Sequence, residues 1–196
     1  MKKILVTGSN GQLGQCLKQQ LQNTGDVSCY FATREDLDIT NNEGVQGFFS
    51  EHNFDYCINT AAYTNVEKAE SEQKEAFLIN AEAAHNLANV CKKHNVVLLH
   101  ISTDYVFDGT KKTPYLEEDP TNPVNVYGAS KLKGEQYIST SCSKHFIIRT
   151  SWLYSQHENN FLNSMLQFAR QKKALTITTQ QTGTPTNAND LAQVLV

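Results

Sequence analysis

The sequence predicts one α/β domain, a doubly wound parallel sheet with helices on both faces. Three observations predict it. Short apolar runs rich in β-branched residues recur along the chain, and segments with helical spacing of apolar residues separate them. Strand and helix alternate throughout, which is the pattern of parallel strands joined by crossover helices. At 196 residues there is room for one sizeable core, and a second complete domain would be cramped.

The elements follow in order. Lys2 to Thr7 reads as a strand that runs directly into Gly8-Ser9-Asn10-Gly11-Gln12-Leu13-Gly14 and then a helical pattern through Leu17 and Leu21. Glycines at this spacing let the backbone turn sharply and approach a pyrophosphate, and the helix start offers free N–H groups to it. Because the glycines follow a strand and open a helix, they have the context of a dinucleotide-binding fingerprint. Gly8, Asn10, Gly11, Gln12, Leu13 and Gly14 are the candidate phosphate cradle.

Asp26 to Thr33 reads as the second strand. Arg34 lies where such units place the residue that meets the adenosine ribose, and a guanidinium suits a 2′-phosphate. NADPH is therefore expected, with NADH left open because Glu35 and Asp36 follow at once. Leu37 to Thr40 is a short strand candidate, and Thr40 or Asn41 can cap the next helix. Asp55 to Asn59 reads as a buried strand, followed by Thr60-Ala61-Ala62-Tyr63. Small residues there leave room for a ligand, or serve close strand–helix packing.

Asn65 to His94 lacks proline and glycine and reads as one long helix, with Asn80 on it as a solvated or backbone-bonded asparagine. Val96 to Ile101 is the most apolar run and predicts a central strand. It delivers Ser102, Thr103, Asp104 and Tyr105 to the carboxyl edge of the sheet, where hydroxyls can bond a substrate carbonyl or cap the strand.

Phe107 to Pro123 has the composition of a loop. A helix follows, carrying Tyr127 and Lys131 four residues apart on one face. A nearby ammonium favours the phenolate, so this pair is a candidate proton donor. His145 to Arg149 is a further buried strand, Asn160 to Arg170 a helix, Leu175 to Thr179 strand-like, and Asp190 to Val196 a helix.

Composition limits the partners. There are 17 basic and 20 acidic residues, a net charge of -3, which gives no basic footprint for nucleic acid or an anionic membrane. No targeting segment or transmembrane run stands out, so a soluble, cytoplasmic protein with a small-molecule partner is expected. The five cysteines, Cys16, Cys29, Cys57, Cys91 and Cys142, are scattered and read as reduced thiols. Cys91 and His94 read as the end of a helix, not as half of a zinc site.

The glycine turn with Thr7, the strand-end Thr103, and Tyr127 with Lys131 together resemble the extended short-chain dehydrogenase/reductase family. Asn59 to Thr64 with Val66 to Glu70, Ile101 to Gly109, Arg149 to Tyr154, and Gly183 to Thr186 with Asp190 to Ala192 are similar to its dTDP-4-dehydrorhamnose reductase branch. The resemblance implies a Rossmann fold over residues 1–196 and NADPH-dependent reduction of a nucleotide-sugar C4 ketone for cell-surface polysaccharide. It implies that Tyr127 donates the proton and that Lys131 lowers its pKa and holds the nicotinamide ribose. Thr103, preferred to Ser102 from the family pattern alone, bonds the carbonyl oxygen.

It further implies that Asp104 and Trp152 face the sugar nucleotide and that residues 151–186 partly line the substrate site. Asp38, Ile39, Ala61, Ala62 and Tyr63 border the cofactor. Related dehydratases carry Asp-Glu after the threonine, whereas Asp104 is followed here by Tyr105, which favours simple reduction. Cys16 stands where some members place a magnesium-binding glutamate at a dimer interface, so no such metal is expected and a homodimer is left open. The family continues past residue 196 into a segment that closes over the sugar nucleotide, which this chain is expected to lack. A non-catalytic regulatory subunit and a nucleotide-sugar epimerase of the same fold are the alternatives.

Overall fold

The computed structural model describes residues 1–22, 24–25, 27–158, 160–171, 174–177 and 181–196. Its centre is a parallel five-stranded sheet in the order β2-β1-β3-β4-β5, formed by β1 (Lys2–Thr7), β2 (Val27–Ala32), β3 (Tyr56–Asn59), β4 (Val97–Thr103) and β5 (His145–Thr150). Strand order reverses between β1 and β3. In an open parallel sheet the crevice beyond that reversal is where ligands bind.

Alternation along the strands divides the core in two. Leu5, Cys57 and Leu98 point to one face, where they meet α2 (Asn42–Glu51), α5 (Ala83–Lys93) and α6 (Val126–Ser141) through Val45, Phe49, Leu87, Val90 and Ile138. Ile4, Val6, Ile58, Leu99 and Ile101 point to the other, against α1 (Gln12–Leu21) and α8 (Ala188–Leu195) through Leu13, Leu17, Leu191 and Ala192. Burial on both faces is why these strands read as continuous apolar runs. The predicted doubly wound sheet is the observed one. Among the described residues, no helix is long and apolar enough to cross a membrane.

Three expectations are corrected and one alternative is decided. Leu37 to Thr40 is not a strand, because carboxylates close it into turns. Asp36 accepts from the Thr33 N–H and hydroxyl, and Asp38 from those of Thr40. Of the two expected caps, Asn41 is the one that caps α2, accepting from the Gly44 N–H. Asn65 to His94 is not one helix. α3 (Val66–Ala69) ends in a turn at 70–72 before α4 (Gln73–Phe77), which passes through a π-helical turn (Leu78–Glu82) into α5. Residues 174–177 are irregular, so Leu175 to Ile177 form no strand, and Thr178 and Thr179 lie outside the described residues.

The predicted α6, α7 (Phe161–Gln171) and α8 are present. Two strands escaped prediction. β6 (Leu153–Tyr154) and β7 (Thr186–Asn187) pair in a small second sheet, and two residues are too few to show a period.

Candidate active site

The carboxyl ends of β1, β3, β4 and β5 open into a cleft of about 840 Å³. Its floor is the turn after β1. Gly8 has φ +67 and lies so close to the end of β3 that an added Cβ would sit 2.7 Å from Ala61 Cα, so only glycine fits. The Thr60 hydroxyl donates to the Thr7 carbonyl at 2.6 Å, which ties the two strand ends together.

The helix that follows is open to an anion. α2, α3, α6 and α8 are each capped by an asparagine side chain, at Asn41, Asn65, Asn125 and Asn187. α1 instead starts at Gly11 with no side-chain cap and no acidic residue in its first turn. Its first N–H groups and its dipole are therefore free for a phosphate. These residues fit a dinucleotide.

Gly8, Asn10, Gly11, Gln12, Leu13, Arg34, Asp38, Ile39, Ala61 and Ala62 all line the cleft. Two predicted cofactor residues do not. Gly14 packs under the turn, where a Cβ would be 2.6 Å from Ser9 Cα. Tyr63 is held outside the lining, with its hydroxyl donating to Glu72 at 2.5 Å and its N–H to Asn80 Oδ1 at 2.9 Å. Arg34 is exposed at the rim, with Nε 3.6 Å from Asp38 Oδ2.

The opposite wall carries Thr103, Asp104, Tyr127 and Lys131. Asn125 caps α6 through the Gly128 N–H at 2.7 Å, and the Glu70 carboxylate accepts from the Val126 N–H at 2.9 Å. These bonds set the first turn of the helix, and with it Tyr127. The Tyr127 ring meets Tyr105 edge-on at 5.7 Å. Burial pushes its phenol up to about 12, opposed by a hydrogen bond with Thr103 and reinforced by the Asp104 carboxylate. Burial likewise raises the Asp104 carboxyl.

Lys131 is 2% exposed, and burial lowers it to about 8 while Glu135 acts the other way. Its Nζ donates to the Ile101 carbonyl at 2.6 Å. Lys131 is not among the groups that shift the phenol in the chain by itself. The ammonium is engaged at β4, and desolvation dominates both groups.

Ser102 and Thr103 both line the cleft, in different surroundings. Ser102 donates to Glu135 at 2.5 Å, and Glu135 is clamped by Arg149 at 3.0 Å and 2.7 Å. Thr103 instead lies on the Tyr127 side, accepts from the Tyr105 N–H at 3.2 Å and donates to Asp104. Trp152 reaches the cleft from a left-handed backbone, φ 47, and stacks edge-on with Phe161 at 5.6 Å. Sequence reasoning missed Thr150, the register partner of Thr103. It lines the cleft, and its buried hydroxyl has no partner. Its place at a strand end was the signal that could have found it.

A family model described as the RmlD substrate binding domain matches residues 1–196. The chain belongs to this family. It is 39% identical over 196 residues to a dTDP-4-dehydrorhamnose reductase of Aggregatibacter actinomycetemcomitans, covering 100% of this chain and 67% of the relative. Against the dTDP-4-dehydrorhamnose reductase of Escherichia coli (strain K12) it is 40% identical over 191 residues, 96% of this chain and 64% of the relative. A solved dTDP-4-dehydrorhamnose reductase from Bacillus anthracis in complex with NADP superposes with a TM-score of 0.96 at 39% identity, covering 100% of this chain and 70% of that one. The chain thus spans about two thirds of the length of these relatives.

Proposed function

We propose that the chain binds NADPH and reduces the C4 ketone of dTDP-4-dehydro-L-rhamnose to dTDP-L-rhamnose. One observation carries this reading: Thr103, Tyr127 and Lys131 converge on one wall of a cleft whose floor is an uncapped, glycine-opened helix start. The names of the relatives add the substrate class. They include dTDP-4-dehydrorhamnose reductases and a dTDP-4-keto-6-deoxy-D-glucose reductase, which share a ketone at C4 of a dTDP-linked sugar.

The dinucleotide, when bound, supplies hydride. Residues of the glycine turn would hold its pyrophosphate, Arg34 the 2′-phosphate, and Lys131 the nicotinamide ribose. Thr103 would turn its one hydroxyl hydrogen from Asp104 to the ketone oxygen, where negative charge develops. Tyr127 gives that oxygen its proton. A phenol held at about 12 stays protonated across the neutral range, and a secondary alkoxide is more basic than a phenolate, so the transfer runs downhill. Asp104 and Trp152 border the sugar, and residues 151–186 supply part of that side of the site.

Turnover is followed by loss of NADPH absorbance with dTDP-4-dehydro-L-rhamnose. Tyr127→Phe is expected to lower kcat by about 10²–10⁴-fold while NADPH still binds. Equal rates for the two proteins would remove Tyr127 from the mechanism, and no turnover by either would sink the reductase reading. Arg34→Ala is expected to raise the KM for NADPH more than that for NADH. Equal changes would show that Arg34 does not read the 2′-phosphate.

A further inference from the structure

The three central strands share a polar rung. Thr7, Asn59 and His100 are register partners on β1, β3 and β4, and each is buried. The Thr7 hydroxyl donates to Asn59 Oδ1 at 2.7 Å, and the Ala61 N–H donates to the same oxygen at 3.2 Å. A backbone N–H can only donate, so the identity of that oxygen is fixed. The amide NH₂ of Asn59 therefore faces His100 Nδ1, at 2.9 Å.

His100 Nδ1 has to accept this bond. His100 is 1% exposed, and burial and the nearby Lys131 both oppose its protonation, so it is neutral. A neutral imidazole that accepts at Nδ1 carries its proton on Nε2. That Nε2–H lies 3.4 Å from Lys131 Nζ, whose own hydrogen goes to the Ile101 carbonyl. Against an ammonium, the imidazole N–H meets another donor. Against a neutral amine it meets a lone pair.

We propose that Asn59 and His100 are positioning residues for Lys131: Asn59 locks the His100 proton onto Nε2, and that N–H, aimed at Lys131 Nζ, favours the amine over the ammonium. Among the described residues, Glu135 on its own helix is the other charged group that acts on Lys131, while Asp104 and Tyr105 act on Tyr127, one turn earlier on that helix. Glu135 favours the ammonium, but its carboxylate is already shared by Arg149 and Ser102. The consequence for turnover rests on the reductase reading. In that reading Lys131 holds the nicotinamide ribose, so loss of its charge sets the upper pH limit of the reaction and the lock sets where that limit falls.

Nuclear magnetic resonance of the histidine nitrogens and lysine side chains tests this without substrate. The unaltered protein is expected to show His100 as the Nε2–H tautomer and Lys131 titrating near 8. In Asn59→Asp, the new carboxylate takes an Nδ1–H from His100, so Nε2 becomes an acceptor for the ammonium. The Lys131 titration then moves up by about one unit or more, roughly a tenfold change in the charged fraction at alkaline pH. Adding His100→Phe to that variant leaves no donor or acceptor at position 100 to relay the change, and most of the shift is expected to go with it.

An Nδ1–H tautomer in the unaltered protein would overturn the proposal. So would an unmoved lysine in Asn59→Asp, or a full shift that survives His100→Phe, which would mean that the carboxylate acts by charge alone. With substrate, the alkaline limb of kcat should follow the lysine. Absence of turnover would count against the reductase reading and leave the resonance test standing.

Discussion

Lys131 is a charged residue in a place that disfavours charge, and its folded-state pKa is lowered to about 8 by burial. In the unfolded chain a lysine titrates at about 10.4. Above about pH 8 the unfolded state therefore binds more protons at this site, so its contribution to stability rises with pH, by at most about 1.4 kcal/mol per pH unit. Below about 8 both states are charged and the contribution is flat. Lys131→Met keeps the volume and removes the titration. Chemical denaturation of both proteins is expected to show a stability difference that grows in favour of Lys131 from about pH 8 upward. A pH-independent difference would show that the buried lysine is not depressed. Tyr127 and Lys131 were legible as a same-face pair from helical spacing, and as candidates for chemistry only together with the glycine turn and the strand-end hydroxyl. Asn59, His100 and Glu135 were not, since their roles depend on which residues register across strands and which helix covers them.

At the scale of elements, the turn at 70–72 and the π-helical turn re-aim what a regular helix would have pointed elsewhere. The π turn buries Asn80, whose amide bonds the Tyr63 N–H and carbonyl and the Ser130 hydroxyl, joining the loop after β3 to α6. Asn80 was read as solvated or bonded to backbone, and the backbone alternative holds. The break escaped notice because it contains neither glycine nor proline, and its reason is tertiary: Glu70 leaves the helix to accept from α6. α6 in turn lies close against the π turn at Gly134, where a Cβ would press on the Asn80 carbonyl oxygen. Gly134→Ala is expected to destabilise by about 1–3 kcal/mol or more, despite its better helix propensity, because the obstacle is backbone. A lowered Tm checks this, at about 2–4 °C per kcal/mol for a chain of this size. An unchanged or raised Tm would show that the two segments can separate freely.

At the scale of the molecule, the alternation of strands and helices carried the prediction of a two-faced parallel sheet, because burial on both faces leaves an apolar signature in every central strand. The order of those strands was beyond the sequence, since only packing decides which neighbours pair. That packing has a kinetic consequence. The glycine turn is anchored through α1 to one core, and the Tyr127 helix is anchored to the other, with the sheet as a partition between them. A cavity in either core should destabilise by about 2–5 kcal/mol. Leu17→Ala, on the α1 side, is expected to weaken NADPH affinity with little change in kcat, and Ile138→Ala, under α6, to lower kcat with little change in affinity. If both variants lost affinity and kcat in equal measure, the sheet would be transmitting strain rather than insulating one half of the chemistry from the other.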